Sequence, residues 1–443
     1  MKYLKIFTLF SLILIHFAAN ACTIVAVSGR ATADGRPLLL KTRDGTNNDI
    51  KIKIGIGSQY VYLCQTNVPD NVAYSGYNET GFAIVNSHSY NMPNTDYWWN
   101  AQMMQWALER CSTVSEFEYM LDTITKPIPV RSNYGVMDAQ GNVAIFEVNA
   151  YNYVRYDADS ADYGYLIRAN HSFSQDTTNM NTMDPTSIPR YWISSAYLAE
   201  AALFNGSISK EDLFGLSRCL VNKVGDDLHE MAPLDENTYT PVEFRYYVPC
   251  RYSTSAMIIQ GVLPNEQHKI TVAWTMLGPQ IASVCIPYMI TPHKVLPQKS
   301  KKGSDGHSWF CYQGQQLNNF CFVNNTTIDM AKVYNLSGTG VLQKINKIEE
   351  SILQNGNELV DEMRATGLSE TDVANFYSWI DYYTEDQYRQ YFPYLFPTNS
   401  IDNSASNESN TNMEYYDLMG GKMQGVPDNA ILKKSGNKAV IIK

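Results

Sequence analysis

A chain of 443 residues with a formal net charge of −10 offers no basic face for neutralising phosphates, which argues against a nucleic-acid partner. Hydrophobic residues make up 44%, enough for a sizeable core and against wholesale disorder. No Walker loop, no GxGxxG after a strand, no HExxH and no EF-hand loop is present, so neither a cofactor nor a metal is expected.

The first residues bear on compartment. Lys2 and Lys5 form a short basic start, and an apolar run from Ile6 to Ala18 follows. That run is too short for a membrane span. Ala19-Asn20-Ala21 reads as the small-x-small site of a signal peptidase. Residues 1–21 are therefore expected to be a removed signal peptide, leaving an exported, periplasmic or extracellular chain that begins at Cys22. No later stretch is long and apolar enough to span a bilayer.

The segment Cys22 to Asp44 reads as a β-hairpin. Thr23-Ile-Val-Ala-Val27 and Leu38-Leu-Leu-Lys-Thr42 are its strands, with turn chemistry between Ser28 and Arg36. Further strands are expected at Tyr60–Leu63 and Gly81–Val85. A helix is expected over residues 99 to 123, where Trp106, Leu108, Phe117, Met120 and Leu121 recur at helical spacing. Strands resume from Asn133 to Val148 around the turn Asp138–Asn142. Helices follow at Pro189–Phe204 and Lys210–Val224, strands between 255 and 290, and helix again from 342 to 390. Blocks of strands, each followed by helices, suggest a layered α+β fold rather than a doubly wound parallel sheet. Residues 22–397 read as one domain. The Asn/Ser-rich stretch 398–413 reads as a disordered linker, and 414–443 as a small β tail.

Eight cysteines are scattered without a CxxC pair, which speaks against a zinc site. An oxidising compartment permits disulfides, and Cys311 with Cys321 is the local pair expected to bridge. The rest lie in apolar surroundings and read as buried thiols.

Cleavage after Ala21 would give Cys22 a thiol and a free α-amino group on one residue. An α-amine titrates near ~7.7–8.0 in reference peptides, so it can act as a base toward its own thiol. A hairpin centred near Ala33 pairs residues whose numbers sum to about 66, which sets Asp44 across from Cys22 and Arg43 across from Thr23. A cation and a carboxylate would thus stand beside the thiol, Arg43 favouring thiolate and Asp44 holding the α-ammonium or a substrate nitrogen.

These residues resemble a known family. Cys22-Thr-Ile-Val-Ala-Val, followed by Ala31-Thr-Ala-Asp-Gly-Arg-Pro-Leu-Leu-Leu-Lys-Thr-Arg43-Asp44, is similar to the N-terminal-nucleophile hydrolases. Within them it looks closest to the acyl-CoA:isopenicillin N acyltransferase-like, peptidase C45 group, with choloylglycine hydrolases as relatives. Asn78-Glu-Thr-Gly-Phe-Ala-Ile-Val-Asn86 resembles the family strand whose final Asn supplies an oxyanion-hole donor. Ala169-Asn170-His171 resembles a later Asn segment beside the site, and Ser187-Ile-Pro-Arg190 a helix start that brings an Arg near the nucleophile. The resemblance implies a four-layer αββα sandwich. It also implies hydrolysis of a linear, non-peptide or short-peptide amide through a Cys22 thioester. The catalytic set would be Cys22, Arg43, Asp44, Asn86, Asn170 and Arg190, and the partner a small-molecule amide; the sequence leaves assembly as a homo-oligomer open.

Other readings stand beside this one. An acyltransferase would resolve the same thioester with an amine. A lipoprotein, cut before the same cysteine and lipidated on it, would make the chain a lipid-anchored surface binding protein. His88 and His171 invite a Cys–His pairing, against which a core or cleft role weighs more. The tail, with Tyr416-Asp-Leu-Met-Gly420 and Lys438-Ala-Val-Ile-Ile-Lys443, resembles the sorting tails of Bacteroidetes type IX secretion.

Overall fold

A computed structural model describes residues 22–396, apart from 48, 70–71, 94–95, 180–183 and 223–233, together with short strands within 414–440. The expected signal peptide and linker lie outside the described residues. In chain order the strands are β1 (Thr23–Val27), β2 (Leu38–Asp44), β3 (Ile50–Ile56), β4 (Val61–Asn67), β5 (Ser75–Asn78), β6 (Ala83–His88), β7 (Ser132–Met137), β8 (Val143–Val148), β9 (Tyr153–Asp157), β10 (Tyr165–Arg168), β11 (Pro241–Glu243), β12 (Ser253–Gln260), β13 (Val272–Leu277), β14 (Cys285–Tyr288) and β15 (Thr327–Asp329). The helices are α1 (Asn100–Arg110), α2 (Val114–Thr123), α3 (Ser187–Asn205), α4 (Lys210–Ser217), α5 (Trp309–Cys321), α6 (Met330–Val333), α7 (Val341–Thr366) and α8 (Glu370–Tyr391).

Two antiparallel sheets form the centre. One has the order β10-β1-β2-β12-β13-β14, and the other runs β3 to β9 in sequence. They pack face to face through Ile24, Leu39, Val85 and Ile145, all fully buried. Helices α1 and α2 cover the outer face of the seven-stranded sheet, where Met104, Leu108 and Phe117 meet Ile84, Tyr134 and Phe146. Helices α3, α4 and α7 lie on the six-stranded sheet, and α8 packs on α7. The result is the four-layer αββα sandwich. Both faces of β1 and β2 are covered, so these strands read as nearly unbroken apolar runs. Four short strands, Glu414–Tyr416, Lys422–Met423, Leu432–Ser435 and Lys438–Val440, form a separate antiparallel sheet.

Several boundaries differ from the expectations. The helix expected over 99–123 is two helices, because Cys111 ends the first and the Thr113 side chain caps the second by accepting from the Glu116 N–H. The segment 342–390 is likewise divided, at Gly367 (φ 99°) and the Ser369 cap. Helix α4 stops at Ser217 rather than continuing to Val224. No Cys311–Cys321 bridge forms. Both residues lie on α5 and all eight cysteines are buried thiols. Ten residues of helix separate their Cα atoms by ~15 Å, whereas a disulfide needs less than ~7 Å.

Candidate active site

The first hairpin sets the site, one residue out of the expected register. Thr23 pairs with Thr42 and Ile24 with Lys41. One step further along, Cys22 comes opposite Arg43, not Asp44. The shift arises in the turn, where Val27 pairs with Leu38 and Ser28 opens a 3₁₀ turn by accepting from the Arg30 N–H. Directly opposed residues share a face. Cys22, Lys41 and Arg43 therefore face the seven-stranded sheet, and Thr23, Thr42 and Asp44 face the helical layer carrying α3.

On the first face, two cations converge on Cys22. Lys41 is buried, and its ammonium donates to the Tyr74 carbonyl and to Asn86 Oδ1, both at 2.6 Å. Burial pushes Lys41 down to about 8; the neighbouring Cys22 sulfur opposes this and Arg43 adds to it. The Arg43 guanidinium donates to Asn67 Oδ1 (3.1 Å) and Thr254 Oγ1 (3.2 Å) and stacks 4.0 Å above the Tyr74 ring. Desolvation lowers its pKa, while Tyr74, Cys22, Cys311 and Asp44 act the other way. Asn86, near the middle of β6, gives one amide N–H to Ser132 Oγ (2.9 Å).

On the second face, Arg190 projects from the first turn of α3 and is fully buried. It donates to the Cys22 carbonyl (2.8 Å) and Thr23 Oγ1 (3.0 Å) with one nitrogen, and to Asn170 Oδ1 (2.8 Å) with the other. Asp184 stands 3.5 Å from that second nitrogen. Asn170 is held in turn by donating to the His88 carbonyl (2.8 Å) and through its backbone N–H to Ser187 Oγ (2.8 Å). Asp44 Oδ1 accepts from Ser253 Oγ at 2.6 Å, and Oδ2 has no hydrogen-bond partner among the described residues, with the Cys250 thiol beside it. Burial raises the Asp44 carboxyl to about 6, against the pull of Arg190 and of the Ser253 and Cys250 side chains.

The structure thus gathers Cys22, Arg43, Asp44, Asn86, Asn170 and Arg190 at one end of the β1–β2 hairpin. Sequence reasoning missed Lys41, Ser253 and Asp184. Lys41 carried a signal: it is the one charge inside the run Leu38-Leu-Leu-Lys-Thr42, two residues from Arg43 and so on its face. Neither histidine pairs with Cys22. His171 Nδ1 meets Ser187 Oγ at 2.8 Å and His88 Nδ1 meets the Asn100 amide at 3.0 Å. Burial lowers them to about 4 and about 3 respectively, so both are neutral at pH 7. Among the described residues no group of three His, Cys, Asp or Glu side chains converges as a metal site.

Comparison with known proteins covers part of the chain that carries these residues. The model of the family described as acyl-coenzyme A:6-aminopenicillanic acid acyl-transferase matches residues 34–201. That stretch begins just before β2 and contains Lys41, Arg43, Asp44, Asn86, Asn170 and Arg190. The likeness to an acyl-CoA:isopenicillin N acyltransferase-like family drawn from the sequence is met over this stretch by the match. No curated protein sequence matches the chain. Among solved structures, similar ones include a conjugated bile acid hydrolase from Clostridium perfringens, at 14% identity over 62% of this chain and 93% of that one, TM-score 0.37. Penicillin V acylase from Agrobacterium tumefaciens gives 15% identity over 61% and 86%, TM-score 0.36. The Caenorhabditis elegans ortholog of N-acylethanolamine-hydrolyzing acid amidase gives 12% over 58% and 100%, TM-score 0.37.

Proposed function

We propose that the chain is an exported hydrolase of linear amide bonds whose nucleophile is the thiolate of Cys22, unmasked as the N-terminus by cleavage after Ala21. One observation carries the reading: Lys41, Arg43 and Arg190, all buried, converge on Cys22, the first two beside its sulfur and the third on its carbonyl. Burying so many charges is costly unless they act on a common partner.

The chemistry follows from the two faces. The α-amine of mature Cys22 takes the thiol proton, and Lys41 and Arg43 stabilise the thiolate by their positive charge. Sulfur attacks the amide carbonyl. The second N–H of the Asn86 amide takes the oxyanion, and Lys41 fixes that amide by holding its oxygen. The α-ammonium passes its proton to the departing amine, and a thioester remains on Cys22. Water, deprotonated by the α-amine, then attacks the thioester and frees the acid. Arg190 holds the Cys22 carbonyl, so the residue bearing nucleophile and base keeps one orientation. Asp44 Oδ2, buried beside the Cys250 thiol and without another hydrogen-bond partner among the described residues, suits the α-ammonium as an acceptor.

An acyltransferase differs only in the final step, with an amine in place of water. A lipid-anchored protein differs in the first, because lipid on Sγ removes the nucleophile. The mass of the mature N-terminus, together with the Cys22→Ser variant, tests the reading. An unmodified Cys22 terminus and loss of nearly all amidase activity in the variant support it. A diacylglyceryl mass on Cys22, or undiminished turnover by the variant, rules it out.

A further inference from the structure

Strand β12 runs antiparallel to β2 from Ser253 to Gln260, and its register slips once, beside the site. Ser253 lies opposite Asp44 and Ser255 opposite Arg43, so two residues of β12 advance against one of β2. Thr254 is the extra residue of a β-bulge. Residues two apart on a regular strand share a face, but Ser253 and Ser255 face opposite ways. Ser253 Oγ donates to Asp44 Oδ1 at 2.6 Å on the α3 side. Ser255 Oγ donates to Gln65 Oε1 of β4 at 3.0 Å, on the side of the seven-stranded sheet. Regular pairing continued past Ser255 would set Thr254 opposite Asp44 and turn Ser253 to the thiol's face.

The extra residue has its own contact. Thr254 Oγ1 accepts from an Arg43 guanidinium nitrogen (3.2 Å) and donates to the Arg43 carbonyl (3.1 Å). Consecutive hydroxyls of β12 thus serve consecutive residues of β2 that face opposite ways, a carboxylate on one side and a cation on the other. The direction of the Ser253 bond is fixed from behind. The Cys250 N–H donates to Ser253 Oγ (2.9 Å), the Ser253 N–H closes the turn on the Cys250 carbonyl (3.1 Å), and an ionised carboxylate only accepts. Ser253, Thr254 and Ser255 are all buried, where such bonds are electrostatically stronger than in water.

We propose that the bulge at Thr254 positions both charged partners of Cys22: Ser253 sets Asp44 for the α-ammonium, and Thr254 sets the Arg43 guanidinium beside the sulfur. Ser253 and Thr254 are positioning residues, since they act through Asp44 and Arg43. The proposal rests on the amidase reading of Cys22 and adds what holds its cation and carboxylate in place. Asp44 is otherwise faced by Arg190 of α3, by Asp184 of the loop before it and by the Cys250 thiol, with Arg43 beside it in the chain.

Two readouts that need no turnover separate the two faces. In the mature Cys22→Ala chain, with aspartate labelled at the carboxyl carbon, NMR follows the Asp44 titration, identified by its loss in Asp44→Asn. Ser253→Ala raises the midpoint from about 6 by about one pH unit, the effect of losing one hydrogen bond to a carboxylate, and Thr254→Val leaves it in place. In the mature chain with Cys22 intact, iodoacetamide labelling at pH 7, read on the Cys22 peptide by mass spectrometry, reports the thiolate. Thr254→Val slows it about fivefold, Thr254→Ser keeps the wild-type rate, and Ser253→Ala changes it by less than about twofold. In turnover, Ser253→Ala and Thr254→Val each lose about tenfold in kcat rather than KM. Ser255→Ala, which takes the neighbouring buried hydroxyl from Gln65, moves neither readout and keeps turnover within about twofold. An Asp44 titration unmoved by Ser253→Ala, labelling unmoved by Thr254→Val, or a Ser255→Ala variant that shifts either readout overturns the proposal. Both shifts in a chain that cleaves no amide support the positioning and count against the amidase reading alone.

Discussion

Replacing Lys41 by Met removes a buried charge and should leave a distinct imprint on both stability and rate. The folded chain holds Lys41 at about 8, against an ordinary value of 10.5. The difference, 10.5 − 8 = 2.5, corresponds to about 3 kcal/mol. The sign follows from proton counting. Between pH 8 and 10.5 the unfolded chain binds the extra proton, so stability rises with pH across that window. Below about 8 the folded state bears the full cost of the buried ammonium. Urea unfolding of both chains, under reductant, from pH 7 to 10.5 measures the difference. Other titrating groups contribute alike to both and cancel. The wild type should gain about 3 kcal/mol on Lys41→Met over that range. On the rate side, the variant loses the cation beside the thiolate and the partner that orients Asn86, so kcat/KM should fall by about 10²–10³. Parallel stability curves, differing by less than about 0.5 kcal/mol across the window, would refute the claim that Lys41 is a charge held in the interior.

Three further outcomes are expected. The kcat/KM profile should carry, below the limb set by the Cys22 α-amine, an acid component with a midpoint of about 6, where Asp44 gains its proton, and Asp44→Asn should remove that component and lower the rate by about 10²-fold. Asn86→Ala removes the proposed oxyanion donor and should reduce kcat by about 10²–10³ with little change in KM. His171→Gln should keep its contact with Ser187 Oγ and leave kcat/KM within about twofold, since a histidine neutral at pH 7 and bonded to a serine takes no part in the proton transfers; a large loss of rate in that variant would restore a Cys–His mechanism.

Much of the site lies in short sequence segments, and what was not legible has physical reasons. The hairpin was visible because β-branched and apolar runs flank a Gly/Asp turn, and antiparallel pairing then brings Cys22 beside the end of β2. The register slipped by one because the long turn between Val27 and Leu38 has no two-residue signature to fix its centre. Such a slip carries a side chain to the opposite face, which is why Asp44 ended up with Ser253 and Arg190 rather than beside the thiol. Lys41 was hidden in plain view inside an apolar strand. Ser253, Asn67 and Tyr74 had no local signal, since they reach the site through β12 and through the facing sheet. The divided helices were missed because hydrophobic periodicity continues across a short break, while the capping residues Thr113 and Ser369 mark the new start.

The central claim is that the thiol of an N-terminal Cys22 carries the acyl group. Rapid acid quench of the mature chain with an excess of amide substrate, followed by peptide mass spectrometry, tests it most directly. The account predicts an acyl mass on the peptide that begins at Cys22, labile to hydroxylamine and absent from Cys22→Ala. An acyl group on any other residue, or turnover without an acyl-enzyme under quench conditions that preserve thioesters, would contradict it.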